Sequence, residues 1–293
     1  MGYSNRYHVA SLAAVFLALA IGILIGAAFG DDVVTGTAES LERSLKGDLD
    51  AAQADADALG TQLDRERDFS QRAYPALVGN RLLGANVALI GLGGIPEPLG
   101  TDVRDALEPT GAELSLVAVV REPPNAALIE AADGVSSRAR DQETDPLESY
   151  GRIVGRQIVD GGALLSRTQD ELFSRLSGEL GNLDAVILAR QQPDELSPTE
   201  EAQTDSLVAG VIAGLELTSA AVIGAERTDA DPTSIGVFGA RQLATVDHVN
   251  LVSGRTALVL ILLGAEGDYG VKESADQLLP DVLVGPPDLA KGP

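Results

Sequence analysis

Residues Val9–Phe29 read VASLAAVFLALAIGILIGAAF, an unbroken apolar run without one charged side chain. As a helix rising about 1.5 Å per residue it reaches about 32 Å, enough to cross the hydrocarbon core of a bilayer. A helix satisfies its own backbone groups, so such a run is stable in lipid. The rival reading is a cleaved signal peptide, with Gly26-Ala27-Ala28 as the cleavage site. Against it, a signal-peptide core needs only about 7–15 apolar residues. The expectation is a transmembrane helix over 9–29, preceded by a short tail over 1–8. Arg6 lies before the run, while Arg43 and Lys46 lie after it, beyond Asp31, Asp32, Glu39 and Glu42. Basic residues close to the membrane favour the cytoplasmic side, which puts the N-terminus in the cytoplasm and the rest of the chain outside. Gly22, Gly26 and Gly30 recur at every fourth position, hence on one helix face where two backbones can approach. Glycine is also simply frequent in membrane helices, and the spacing alone does not separate the two readings.

A second helical pattern follows. Between Ala38 and Phe69 there is no proline, and glycine occurs only at Gly47 and Gly60. Leu45, Leu49, Ala52, Ala56, Leu59 and Leu63 step alternately by four and three, the a/d seam of a coiled coil. Asp48, Asp50, Asp55, Asp57 and Arg65 occupy the other faces. The expectation is a coiled-coil stalk over 36–74 and a homodimer formed through anchor and stalk by Gly22, Gly26, Leu45, Leu49, Leu59 and Leu63. Two alanines weaken the seam, so pairing needs help from the anchor. The alternative is a single helix lying on its own globular domain. Pro75 is expected to end this helix, because proline lacks the amide that would continue it.

From residue 78 to 285 short apolar runs alternate with helical patterns. The runs are Asn86–Gly91, Glu113–Val120, Asp184–Ala189, Ala220–Ile223 and Ser234–Phe238; the helical patterns are Asp102–Leu107, Pro146–Asp160, Gln169–Leu180 and Thr199–Leu215. Ser197-Pro198-Thr199-Glu200 places a cap and a first-turn proline where a helix should begin. Arg255–Leu263 is apolar but too short to span a bilayer, and reads as a buried helix. Continuous apolar strands separated by helices predict a mostly parallel sheet covered on both faces, a three-layer α/β domain of Rossmann-like type. Gly134–Asp145 reads as a polar loop, and 286–293 as a loose tail.

The residues that could carry chemistry are few. Only Arg6 among the 21 basic residues, and none of the 44 acidic ones, falls in the first thirty positions. So acidic a surface repels nucleic acid and anionic headgroups. Gly91-Leu92-Gly93-Gly94-Ile95-Pro96 follows the first strand, where a nucleotide-binding loop would sit. The dinucleotide pattern, however, needs glycine where Pro96 stands and a helix opening at once, which Pro96 and Pro98 are expected to prevent. A serine nucleophile would need a nearby histidine. His8 sits at the membrane edge, which leaves His248 beside Asp247, read as a surface or capping residue. Asp229 and Asp231 could meet a hard cation, yet calcium-loop spacing is missing. Copper(I) prefers thiolate, thioether or imidazole donors. The chain has no Cys, one Met and those two His residues. No catalytic residue, cofactor or metal ligand is therefore expected, and the chain reads as non-enzymatic.

The segment His8–Gly22, the Val87–Ile90 strand, the stretch from Thr245-Val246-Asp247 to Gly254-Arg255, and Gly267-Asp268-Tyr269-Gly270 together resemble the mycobacterial copper transport protein B family of actinobacterial envelope proteins. The resemblance covers nearly the whole chain. It implies copper export or envelope copper homeostasis. It also implies kinship with members that pair with a membrane partner to control septal cell-wall hydrolysis. The residues alone favour a partner-binding envelope scaffold; the resemblance adds the copper reading beside it.

Overall fold

In the computed structural model of the chain, residues 5–139, 145–193 and 195–281 are described, the side chains of 5–7, 29–40 and 138–139 excepted. The chain divides into two compact units, Met1–Asp68 and Phe69–Pro293. The tail expected over 286–293 lies outside the described residues.

The described residues of the first unit are all helical, part of helix α1 (Asn5–Val78). Its apolar stretch falls at His8–Ala28, 21 residues with a mean hydropathy of 2.6 and none of it buried. That length and composition fit a single-pass membrane anchor. Beyond it, Leu45, Leu49, Leu59 and Leu63 are all exposed, as are Ala52 and Ala56.

The last turns of α1 belong to the second unit, and they correct the expected stop at Pro75. The helix runs on to Val78. A proline inside a helix forfeits one backbone hydrogen bond, and packing offsets that loss here. The Tyr74 hydroxyl donates to Ala106 O at 2.7 Å, and Tyr74 and Val78 bury against Val259. The helix closes where Gly79 N–H donates to Pro75 O and Asn80 turns to φ +57°.

The second unit then winds β1 (Asn86–Leu92), α2 (Glu97–Leu107), β2 (Glu113–Val120), α3 (Ala126–Ala139), α4 (Pro146–Asp160), α5 (Ala163–Leu172), β3 (Phe173–Gly178), β4 (Ala185–Arg190), α6 (Pro198–Leu215), β5 (Ala221–Ala225), α7 (Ile235–Gly239), β6 (Ala244–Val246), α8 (Val252–Leu262) and β7 (Asp268–Tyr269). The strands form one sheet in the order β3-β2-β1-β4-β5-β6-β7, with every pairing parallel except β2 with β3. Side chains alternate across β1. Ala88, Ile90 and Leu92 join a core with α4 and α6, while Val87 and Leu89 join another with α2 and α8. Both faces are covered, which is why the central strands are continuously apolar. The expected three-layer, mostly parallel α/β domain is what forms.

Several local expectations fail for identifiable reasons. Ser234–Phe238 is no strand: Ile235 and Phe238, three apart, bury one face of the short helix α7, and the next strand is β6. Gln169–Leu180 splits into the end of α5 and the antiparallel edge strand β3, exposed beyond Phe173. The supposed loop from Gly134 is helical as far as Ala139, within α3. The helix expected at Asp102 opens earlier, at Glu97. By contrast α4 and α6 start where their caps predict. Asp145 Oδ1 accepts from Leu147 N and Glu148 N, and Ser197 with Glu200 forms a capping box.

Helices α4 and α6 approach unusually closely. Gly151 and Gly155 on one face Gly210 and Gly214 on the other, each glycine set against backbone atoms of the opposite helix. Side chains there would force the two backbones apart.

Candidate functional site

From β1 the chain moves outward to β2 and β3, then returns to the other side of β1 and proceeds through β4, β5, β6 and β7. The order reverses between β1 and β4. Loops diverge at such a switch point and leave a crevice beyond the carboxyl ends of the strands. A cavity of about 620 Å³ lies there, bounded by the segments that follow β1, β4 and β5.

The first wall is the glycine turn after β1. Gly93 has φ +76°, and a Cβ on it would lie 2.5 Å from Gln191 O and 2.9 Å from Glu122 Oε2. The prolines do not delay the next helix, contrary to the expectation. Pro96 occupies the cap position of α2 and Pro98 its first turn, where a missing N–H costs nothing and a fixed φ is already helical. The turn therefore leads straight into a helix whose N-terminus carries no side-chain cap.

Two ionisable groups lie beside this turn. Both Glu122 carboxylate oxygens are buried without a hydrogen-bond partner. Burial pushes its pKa up to about 7, although Arg190 pulls it down and Asp205 adds a smaller upward push. Arg190, at the end of β4, keeps only 8% of its side chain exposed. One amino nitrogen lies 3.5 Å from the exposed Asp205 carboxylate, and its Nε is buried and unpartnered.

In the wall beyond β5, Glu226 and Asp229 are each paired with a cation. Glu226, 4% exposed, accepts from Thr233 Oγ1 at 2.6 Å, Ser234 N at 2.8 Å, Ser234 Oγ at 3.0 Å and Lys272 Nζ at 2.6 Å. Arg227 pairs with Asp102 and, at 2.9 Å, with Asp229; Arg255 reaches Asp102 at 3.1 Å. Asp229 is thus spoken for by an arginine, and Asp229 with Asp231 does not build a cation site. Among the described residues no cluster of three His, Cys, Asp or Glu could hold a metal.

His248 is the clearest correction. Expected at the surface or as a cap, it is fully buried, and neither ring nitrogen has a hydrogen-bond partner. Asp247 Oδ1 lies 3.4 Å from Nδ1 without making a hydrogen bond. Desolvation lowers the histidine pKa, outweighing the nearby carboxylate, so the ring is neutral. Asp247 serves the backbone instead, accepting from Val271 N and Lys272 N at 2.8 Å each. Thr245 Oγ1 donates to Asp268 Oδ1 at 2.5 Å, and Tyr269 OH to Glu266 O at 2.6 Å. A Cβ on Gly254 would collide with His248 O, and one on Gly270 with the Asp247 carboxylate. The Thr245–Arg255 and Gly267–Gly270 motifs therefore clamp β6 to β7.

Of the residues expected to self-associate, Gly22 and Gly26 have open space where a Cβ would stand, and the four leucines are exposed. Sequence reasoning did not reach Glu122, Arg190 or Glu226. One signal was available. Each lies at or just beyond the carboxyl end of an apolar strand, where a parallel sheet presents its ligand-facing loops.

The class is that of a doubly wound α/β unit with a switch-point cavity, preceded by an apolar helix that fits a membrane anchor. The sequence places it further. The chain belongs to the family described as copper transport outer membrane protein, MctB, which matches residues 3–280. Similar proteins are copper transporter MctB of Mycobacterium bovis and of two strains of Mycobacterium tuberculosis, each 26% identical over 209 residues, or 71% of this chain. The chain spans about 60% of the length of these curated relatives.

Proposed function

We propose that this protein is a single-pass membrane component of copper export or envelope copper homeostasis, acting without catalysis and through a partner. In this reading the N-terminus is cytoplasmic, the α/β domain is extracytoplasmic, and the stalk pairs two copies along Leu45, Leu49, Leu59 and Leu63. The observation that carries it is the family match over residues 3–280. The accessory character rests on donor chemistry. The domain's one imidazole is sealed in the core, the chain has no Cys, and copper(I) is poorly served by carboxylates. A septal scaffold has no specific support here, because the relatives' names go with copper.

The test is cellular copper in a deletion strain. Loss of the protein should raise copper content and copper sensitivity. The full chain should restore both, and a chain lacking Val9–Phe29 should restore neither. Unchanged copper together with a septation defect would replace this reading with the scaffold one. A reporter fused after Pro293 that works only when exported would support the orientation, and one that works only in the cytoplasm would reverse it.

A further inference from the structure

The switch-point cavity is lined by Arg190, Glu226, Arg227, Asp229 and Asp231, charged groups of both signs. Two of its three acidic lining groups are compensated, Glu226 by Lys272 and Asp229 by Arg227. Arg190 is not matched in the same way. Its ion partner Asp205 is 62% exposed at 3.5 Å, a geometry of small energetic value. A second carboxylate, Glu122, lies close enough to feel Arg190, yet burial holds it near half-protonated at neutral pH. A guanidinium that is mostly buried and has an unsatisfied Nε calls for an acceptor.

The same cavity meets the N-terminus of α2, an 11-residue helix with no side-chain cap. Glu97 in its first turn is exposed and supplies no cap. The positive end of the helix and the Arg190 side chain thus border one space. Pro96, Pro98, Leu99 and Val237 give that space an apolar flank. Its volume of about 620 Å³ exceeds that of a bare inorganic ion and lies within the range of sites for small organic ligands.

We propose that this cavity binds a small organic molecule through its anionic oxygen group, a phosphate ester or a carboxylate, held between the Arg190 guanidinium and the N-terminus of α2, with the organic body against Pro96, Pro98, Leu99 and Val237. The site goes beyond the copper reading and does not depend on it. Asp231, exposed at the rim with no cation bound to it among the described contacts, opposes the ligand and limits its affinity.

The test is isothermal titration of the full chain in detergent with three probes: adenosine monophosphate, inorganic phosphate and lactate. At least one organic probe should bind with Kd below about 1 mM, and inorganic phosphate more weakly because it leaves the apolar flank uncovered. Binding of the nucleotide alone identifies a phosphate ester, and binding of lactate alone a carboxylate. Arg190→Gln should weaken binding about tenfold or more by removing a charge-assisted contact. Asp231→Asn, at an exposed position that leaves the fold alone, should tighten it about twofold. No heat from either organic probe at concentrations up to about 10 mM would overturn the proposal. So would equal binding by Arg190→Gln. Should that variant fail to fold, unchanged or weaker binding by Asp231→Asn overturns it.

Discussion

Replacing Gly151 by alanine tests the closest packing in the domain. A Cβ at that position would lie 2.7 Å from Leu207 O, 2.9 Å from Val211 N and 3.0 Å from Gly210 Cα. All three are backbone atoms of α6, so no side chain can rotate away. Relief requires the helices to separate by a large fraction of an ångström. That movement also loosens Gly155, Gly210 and Gly214, whose spaces are tighter still. Overpacking of this kind costs about 1–3 kcal/mol, and the rigid surroundings favour about 3. Alanine returns about 1 kcal/mol through its helix propensity. The net loss of about 2 kcal/mol should lower Tm by about 4–8 °C for a unit of this size. Gly134→Ala is the control. Gly134 lies inside α3 with nothing within 4 Å of its would-be Cβ, so only the propensity gain applies and Tm should rise by about 2–4 °C. Thermal unfolding followed by circular dichroism on the full chain measures both. Equal melting of Gly151→Ala and wild type would refute the argument that the α4–α6 contact is backbone on backbone.

Three further outcomes follow from the same geometry. Glu122 keeps its proton in the folded state up to about pH 7, whereas the unfolded chain releases it near 4.5. Folded protein thus binds the extra proton between these values, and stability falls as pH rises through that window. Glu122→Gln should remove this slope and stabilise the protein above pH 7 by up to about 3 kcal/mol in denaturant titrations; an unchanged slope would exclude Glu122 as its source. Lys272→Met leaves the Glu226 carboxylate buried without its cation, which should cost about 3 kcal/mol. It should also speed proteolysis after β7, and wild-type cleavage rates would contradict that. Leu59→Asp with Leu63→Asp places charge in the proposed stalk seam, so sedimentation of the full chain should shift from dimer to monomer. Sedimentation of the unaltered chain as a monomer would end the stalk proposal.

What was legible in the sequence had local chemistry behind it. Glu113–Val120 is bounded and apolar, and it forms β2 over those residues. Asp145-Pro146 and Ser197-Pro198 carry a cap followed by a first-turn proline, and α4 and α6 begin there. The failures arise where tertiary context outweighs a short pattern. Ser234–Phe238 has too few residues to separate a period of two from one of 3.6. Only Phe238, packed where a side chain on Gly224 would collide, shows which applies. Strand β6 has three residues, below any periodic signal. Strand β3 is an edge with one buried side chain, so it lacks alternation, and the end of α5 runs into it without a breaker. His248 looked polar and therefore exposed, yet its position is fixed by its backbone, against which Gly254 fits only without a Cβ.

The residues that reveal kinship and those that offer chemistry are different residues. Thr245, Asp247, Gly254, Gly267 and Gly270 are spent on holding β6 and β7 together. Their presence specifies a sheet edge and predicts no ligand. Glu122 and Arg190 stand outside those motifs, Glu122 just beyond β2 and Arg190 at the last position of β4, where the sheet meets loops that are free to vary. A copper ion gains little from either set. The first offers one carboxylate, Asp247, already held by two backbone donors, and the second one buried carboxylate beside a guanidinium that repels cations. The copper reading therefore rests on the family match and not on these residues. Arg190 suits the crevice to the anionic ligand proposed for it.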